Sequence, residues 1–427
     1  MFPKTKEKLF YGWVIAFAII FISIIIGGTR FSFGVFFKPL AGEFDLTRAT
    51  TSSLYSVYMI FCTLFSIVGG WALDRYGPRL VYLLIGIFIG LSLLLSSQTS
   101  SWWQLYLSYS LLLAIGTASM YPVLNATISR WFEKKRGLAM GIAGSGPILG
   151  QIIFSPLSAF LISLLSWRMA FLVMGLIALL VILPVSRLLR NDPAEIGVMP
   201  DGAKSKTSQQ EDVGKKDGSL LTGLTLSQAL RTSNFWIFST AWVVTGFTTF
   251  LILIHVVPYA TDTNVTAMQA ATVMSVMGGI AIPSGILLGR ISDNAGRKIP
   301  LIAIFLLRAT ALIGLIWARE LWMFNLFAVA YGITMGANAP LLSSLSVDMF
   351  GKRSIGVIMG TLNATFAIGA TIGPFVGGFV YDANNSYTLA FLIGAILCTM
   401  TALSIPLIKM EIKSEKLSKI AEIGFEN

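Results

Sequence analysis

Three residues in this chain, Arg30, His255 and Arg308, are of types that apolar segments rarely tolerate. Arg30 lies about 7 residues before the end of the apolar run 10–37, roughly 10 Å along a helix at 1.5 Å per residue. A permanently charged guanidinium in a polar cavity can grip a carboxylate through two parallel hydrogen bonds. The same side chain is also long enough to reach the headgroups from that depth. His255 is the chain's single histidine and sits in another apolar run. It is the one side chain there whose unperturbed pKa lies near neutrality. Carboxylates fall only at the ends of such runs, at Asp74, Asp262, Asp293, Asp348 and Asp382. His255 is therefore the candidate proton carrier, or a hydrogen-bonding partner for substrate; a purely structural histidine is the alternative.

Amide and aromatic groups make a second set. Tyr121 and Asn125 stand one helical turn apart, Tyr331 and Asn338 share a later run, and Asn363 lies in the next. Such groups can fix a small polar ligand, and each alone could instead bond one helix to another. Arg308 reads as a peripheral side chain snorkelling toward the cytoplasmic headgroups. No metal-ligand cluster, phosphate-binding loop or nucleophile–histidine–acid set occurs, so no metal, cofactor or enzymatic chemistry is expected.

The elements that hold these residues follow from composition. Of 427 residues, 55% are hydrophobic and only 12% charged, with mean hydropathy +0.77. Soluble domains carry about twice that charge, which excludes a soluble enzyme, a nucleic-acid binder or a disordered chain. Twelve apolar runs are each long enough to cross a bilayer, near 10–37, 50–74, 80–98, 102–129, 138–166, 168–189, 234–261, 266–289, 299–318, 321–346, 355–381 and 386–408. Their length and continuity mean helices, since β-barrel spans are alternating segments of about 10 residues. The first run is too long for a cleavable signal. Cys62 and Cys398 both lie in apolar runs and read as packing, not a disulfide.

The net charge of +11 acquires a meaning once placed on this topology. With both termini cytoplasmic, 25 of the 31 Lys and Arg fall on the inner side and four outside, at Lys38, Arg48, Arg168 and Arg319. Positively charged loops stay inside, so a cell membrane with both termini in the cytoplasm is expected. Nucleic acid is not needed to explain the basicity. Residues 191–233 are polar and aperiodic, a linker between halves 1–190 and 234–427.

The halves repeat. Gly70, Asp74 and Gly77 after the second run recur as Gly289, Asp293 and Gly296 after the eighth, each 219 residues on. Phe132-Glu-Lys-Lys-Arg136 after run 4 pairs with Phe350-Gly-Lys-Arg353 after run 10. The glycine–proline stretches Gly141, Gly144, Gly146-Pro147, Gly150 and Gly369, Gly373-Pro374, Gly377-Gly378 also correspond, and read as helix packing at the interface of the halves.

These residues resemble the major facilitator superfamily. Its loop signature, Gly-x-x-x-Asp-Arg-x-Gly-Arg-Arg, is matched at Gly70, Asp74, Arg75, Gly77 and Arg79, with Pro78 departing. The second copy keeps Gly289, Asp293, Gly296 and Arg297, with Asn294 in place of arginine. A narrower similarity is to the monocarboxylate-porter and oxalate/formate-antiporter branch. It is carried by Tyr11-Gly-Trp13, Arg30-Phe-Ser-Phe-Gly34, Arg130-Trp-Phe132, Lys135-Arg136-Gly137, Asn191-Asp-Pro193, Pro200-Asp201-Gly202 and Phe235-Trp236. The resemblance implies an all-α polytopic membrane protein of twelve helices in two six-helix pseudo-repeats, with spans 1, 4, 7 and 10 lining the cavity. It implies that the loop motifs latch one conformation. An arginine common in span 8 of this branch is Gly285 here, and a span-11 lysine of some relatives is Phe366. The positive charge for an anionic substrate then rests on Arg30, with His255 assisting. The expected function is secondary transport of a small organic anion, a monocarboxylate, by a proton-coupled monomer in the lipid bilayer. The alternatives are an exporter or exchanger of a drug-like compound or other metabolite, and a sensor with this fold.

Overall fold

A computed structural model describes residues 10–201, 223–351 and 353–408, with the side chains of 293–295 left out. The Lys-rich part of the linker, both termini and the Asp293 carboxylate thus lie outside the described residues. Eleven described helices are long and apolar enough to cross a membrane. One of them, Arg48–Ser97, is 50 residues long and breaks at Gly77, so there are twelve spanning segments. In chain order these are α1 (Tyr11–Glu43, bent at Ser32), α2 (48–76), α3 (78–97), α4 (Trp102–Trp131) and α5 (Arg136–Leu164). They continue as α6 (Trp167–Ser186), α7 (Ser233–Asp262), α8 (Ala267–Ala295), α9 (Lys298–Ile316), α10 (Leu321–Phe350), α11 (Ile355–Asn384) and α12 (Thr388–Ser404).

Helices are the only open-ended way to satisfy backbone groups in lipid, and the caps show where each begins. Ser166, Thr232 and Thr266 accept hydrogen bonds from the backbone N–H three residues on, at α6, α7 and α8. Each thereby satisfies one of the donors left over at a helix start. The repeat glycines have a shared backbone duty. Gly77 has φ 75° and Gly296 φ 78°, a left-handed turn that only glycine takes cheaply and that reverses the chain between spans.

Two compact units divide the described chain. One takes the residues up to Phe36 and those from Val57 into the linker; the other takes Phe37–Ser56 together with everything after the linker. In the first unit α5 lies along α1; in the second α11 lies along α7, α10 along α8 and α12 along α9. The glycine–proline stretches make these contacts. A Cβ at Gly150 would collide with the Ile24 carbonyl of α1, and one at Gly369 with the Val243 carbonyl of α7. Gly150 and Gly369 thus pack inside their own halves, where small residues let α5 sit backbone-close on α1 and α11 on α7, whereas Gly378 of the same stretch meets Arg48 and Ser52 of α2 as the between-halves reading expects.

Candidate functional site

In the first unit α1 brings Arg30 next to its bend at Ser32, whose hydroxyl donates to the Gly28 carbonyl at 2.6 Å. The Arg30 guanidinium turns toward α2, with Nη2 at 3.6 Å from the Met59 sulfur. Tyr121 on α4 lies within electrostatic reach of that charge and is 47% exposed. Asn125, one turn along the same face, is exposed too. Tyr121 and Asn125 thus share one face of α4, with Tyr121 the member nearer the Arg30 charge.

In the second unit His255 is fully buried. Its Nε2 lies 2.8 Å from the Pro374 carbonyl and its Nδ1 3.1 Å from the Tyr387 hydroxyl. A carbonyl only accepts, so Nε2 carries the proton and Nδ1 accepts from Tyr387: a neutral imidazole. The Tyr387 oxygen in turn accepts from Arg48 Nη1 at 2.8 Å. Burial pushes the Tyr387 hydroxyl's pKa up, so it stays a proton donor. Arg48 grips Asp262 with both terminal nitrogens, at 2.8 and 2.9 Å, and lies 3.5 Å over the Tyr381 ring. Lys38 Nζ reaches the same Asp262 at 2.7 Å. Asp382 accepts from the backbone N–H of Arg48 and of Ala49, at 2.9 and 2.8 Å. A carboxylate of α11 thus caps the start of α2. This cluster explains why residues 37–56 group with the second unit. Sequence reasoning placed Arg48, Asp262 and Asp382 only as residues at span ends; the available signal was two carboxylates and an arginine all on the same side.

Tyr331 and Asn338 are buried on one face of α10, while Asn363 is exposed and donates its amide to the Met359 carbonyl at 2.9 Å, within its own helix. His255 and Tyr331 belong to different clusters. Tyr331 stacks with Arg308, which also contacts Thr248 of α7, and Thr248 precedes His255 by seven residues, roughly 10 Å.

Arg308 corrects a reading made above. It is fully buried, not snorkelling at the periphery. Nε donates to Thr334 and Nη1 to Thr248, each at 3.1 Å, and the guanidinium carbon sits 5.1 Å from the Tyr331 ring centroid. Ten residues separate it from the start of α9, roughly 15 Å, farther than its side chain reaches.

Among the described residues, each copy of the repeated motif has its own ties. In the first copy Asp74 is 83% exposed and 3.9 Å from Arg130 of α4; Arg75 and Arg79 are exposed and Gly70 is half-buried. In the second, Arg297 pairs with Asp348 of α10 at 2.9 Å and donates to the Ser344 carbonyl. Gly289 leaves open space for a Cβ, as does Gly296.

Twelve helical spans in two repeated units define a polytopic membrane transporter, and comparison with known proteins identifies its class. The family model of the Major Facilitator Superfamily matches residues 19–321 and 287–422, and the chain belongs to that superfamily. It is 29% identical over 395 residues to monocarboxylate transporter 13 of Bos taurus, covering 91% of this chain and 87% of the relative. It is 27% identical over 402 residues to monocarboxylate transporter 11 of Homo sapiens, covering 91% and 80%. Among solved structures, a bacterial homolog of the human lysosomal transporter Spinster, described as inward-facing and unoccupied, superposes with a TM-score of 0.70 at 18% identity. That match covers 95% of this chain and 96% of the other, and speaks to the fold. The branch resemblance read from Tyr11 to Trp236 agrees with these relatives, and the protein is a transporter of a small molecule, not an enzyme.

Proposed function

We propose that the chain moves a small organic anion, a monocarboxylate, across the cell membrane by alternating access, with an accompanying proton. The observation that carries this reading is Arg30: a permanent charge inside α1, turned toward Met59 of α2 and within electrostatic reach of the exposed Tyr121 of α4. A guanidinium offers a carboxylate two donors, a phenol and an amide can fix its remaining atoms, and a single fixed charge suits a monocarboxylate. Tyr331, Asn338 and Asn363 belong to the proposed substrate set, and the loop residues Gly70, Asp74, Arg75, Gly77, Arg79, Gly289, Asp293, Gly296 and Arg297 to conformational gating. His255 is the proposed proton carrier. Taking a proton on Nδ1 obliges Tyr387 to stop donating there, which links protonation to the Arg48–Asp262 cluster. Both termini face the cytoplasm, a reading that the excess of Lys and Arg in the inner loops supports, and a monomer suffices.

The test is uptake of short-chain monocarboxylates into proteoliposomes with and without an inward proton gradient. Wild type accumulates at least one of them faster with the gradient. Arg30→Gln folds and loses uptake, and His255→Gln loses the response to the gradient. Wild-type transport by Arg30→Gln returns Arg30 to headgroup snorkelling. Absence of any monocarboxylate uptake leaves a transporter of another metabolite.

A further inference from the structure

The second unit holds a positive charge that the proposed substrate site does not use. Arg308 is fully buried in the middle of α9. A guanidinium has five N–H donors. The two hydrogen bonds to Thr334 and Thr248 leave Nη2 buried without an acceptor among the described residues. Those threonines cannot balance the charge. Their own hydroxyl protons go to the Tyr331 and Val244 carbonyls, at 2.7 Å each, so toward arginine they are neutral acceptors. No described carboxylate pairs with it.

The surroundings add two further donor groups, the Tyr331 hydroxyl and the Asn338 amide NH2. The Tyr331 hydroxyl and both polar atoms of the Asn338 side chain are buried without partners. Residues 331, 334 and 338 follow the i, i+3, i+7 spacing of one helix face, so α10 presents a polar stripe to which α9 adds a charge. An unbalanced ion at membrane depth is costly, and such residues default to function. What this group lacks is one negative charge with several acceptor positions. Pro340, within α10, has no N–H to give the Gly336 carbonyl one turn back.

We propose that Arg308, with Tyr331 and Asn338, forms a binding site for one small monovalent anion inside the C-terminal unit. The ion is of halide to acetate size, held by the Arg308 fork and the Tyr331 hydroxyl. It is either an inorganic ion that completes the fold or the carboxylate of the cargo; the latter rests on the transport reading above.

Thermal unfolding of purified protein, titrated with sodium chloride or sodium acetate at constant ionic strength in sodium gluconate, tests it. A ligand that binds only the folded form raises the melting temperature saturably. Wild type gains about 2–4 °C, Arg308→Gln gains none, and Arg308→Lys saturates at several-fold higher anion concentration. No saturable rise in wild type with either salt overturns the site, as does an equal rise in Arg308→Gln. If Arg308→Gln does not fold, Arg308→Lys decides, and an unchanged midpoint overturns it. A chloride response, with acetate uptake by Arg308→Gln intact, assigns an inorganic ion. An acetate response alone, lost together with uptake, assigns the cargo. A chloride response in a protein that carries no monocarboxylate retains the site and removes the transport reading.

Discussion

Replacing Asp262 by Asn tests the reading of the Arg48 cluster most directly. The carboxylate receives Arg48 on both oxygens and Lys38 on one, and the substitution keeps the volume while deleting the charge. Side-chain exposure is 16% for Arg48 and 25% for Asp262, between two regimes. Exposed ion pairs contribute about 0–1 kcal/mol, while removing one partner of a fully buried pair costs about 3–5 kcal/mol. The bidentate geometry and the second cation place this substitution at about 2–3 kcal/mol. At about 2–4 °C per kcal/mol for a unit of this size, the melting temperature falls by about 5–10 °C. A double-mutant cycle with Arg48→Met isolates the pair, with an expected coupling of about 2 kcal/mol. A cycle with no coupling, or a melting temperature within 1 °C of wild type, refutes the claim that this pair joins residues 37–56 to the second unit.

Tyr387→Phe removes the hydroxyl between Arg48 and His255 and leaves Nδ1 buried without its donor; a loss of about 1–3 kcal/mol is expected in thermal unfolding, with a weakened response of uptake to the proton gradient. The two repeat glycines should differ. Gly77→Ala meets both the left-handed backbone and the Asn191 side chain, whereas Gly296→Ala meets only the backbone. The second costs about 1–2 kcal/mol, and the first costs more, read as folded yield and melting temperature. Asp348→Asn frees Arg297 from its half-exposed partner and lowers stability by at most about 1 kcal/mol; uptake should change more than stability if the tie is a gate.

Most of the architecture was legible because lipid makes it so. Spans need length and apolarity, and both can be counted along the chain; the twelve runs correspond to the twelve segments, including the pair that Gly77 divides within Arg48–Ser97. Arg30, Tyr121 and Asn125 draw notice in the sequence for a related reason: polar groups stand out against an apolar background, and the face shared by Tyr121 and Asn125 follows from their spacing of four. The side-chain directions at Arg308 and Arg48 were not legible. A long cation one turn either way can reach headgroups or a neighbouring helix, and hydroxyls of α7 and α10 decide for Arg308. For Arg48 the partners lie more than 200 positions away at Asp262 and Asp382. No local pattern announces such pairing.

The internal repeat shows what the two halves preserve. At the offset of 219 residues, Gly77 and Gly296 keep the same left-handed turn, because a reversal between spans permits few backbones. Among the described residues, the ion pairs beside those turns differ in sense. In the first half the carboxylate belongs to α2 and the arginine to α4; in the second the arginine follows α8 and the carboxylate belongs to α10. Coulomb attraction is indifferent to which partner carries which sign, so a tie between equivalent helix ends survives exchange of charges where the turn does not survive loss of glycine. On the gating proposal, substituting Asp74 or Arg297 therefore perturbs the same mechanical element from opposite sides. Reversing the second pair, Arg297→Asp with Asp348→Arg, should restore uptake lost by either change alone; failure of the double variant, with both proteins folded, refutes the reading that the Arg297–Asp348 pair is the tie.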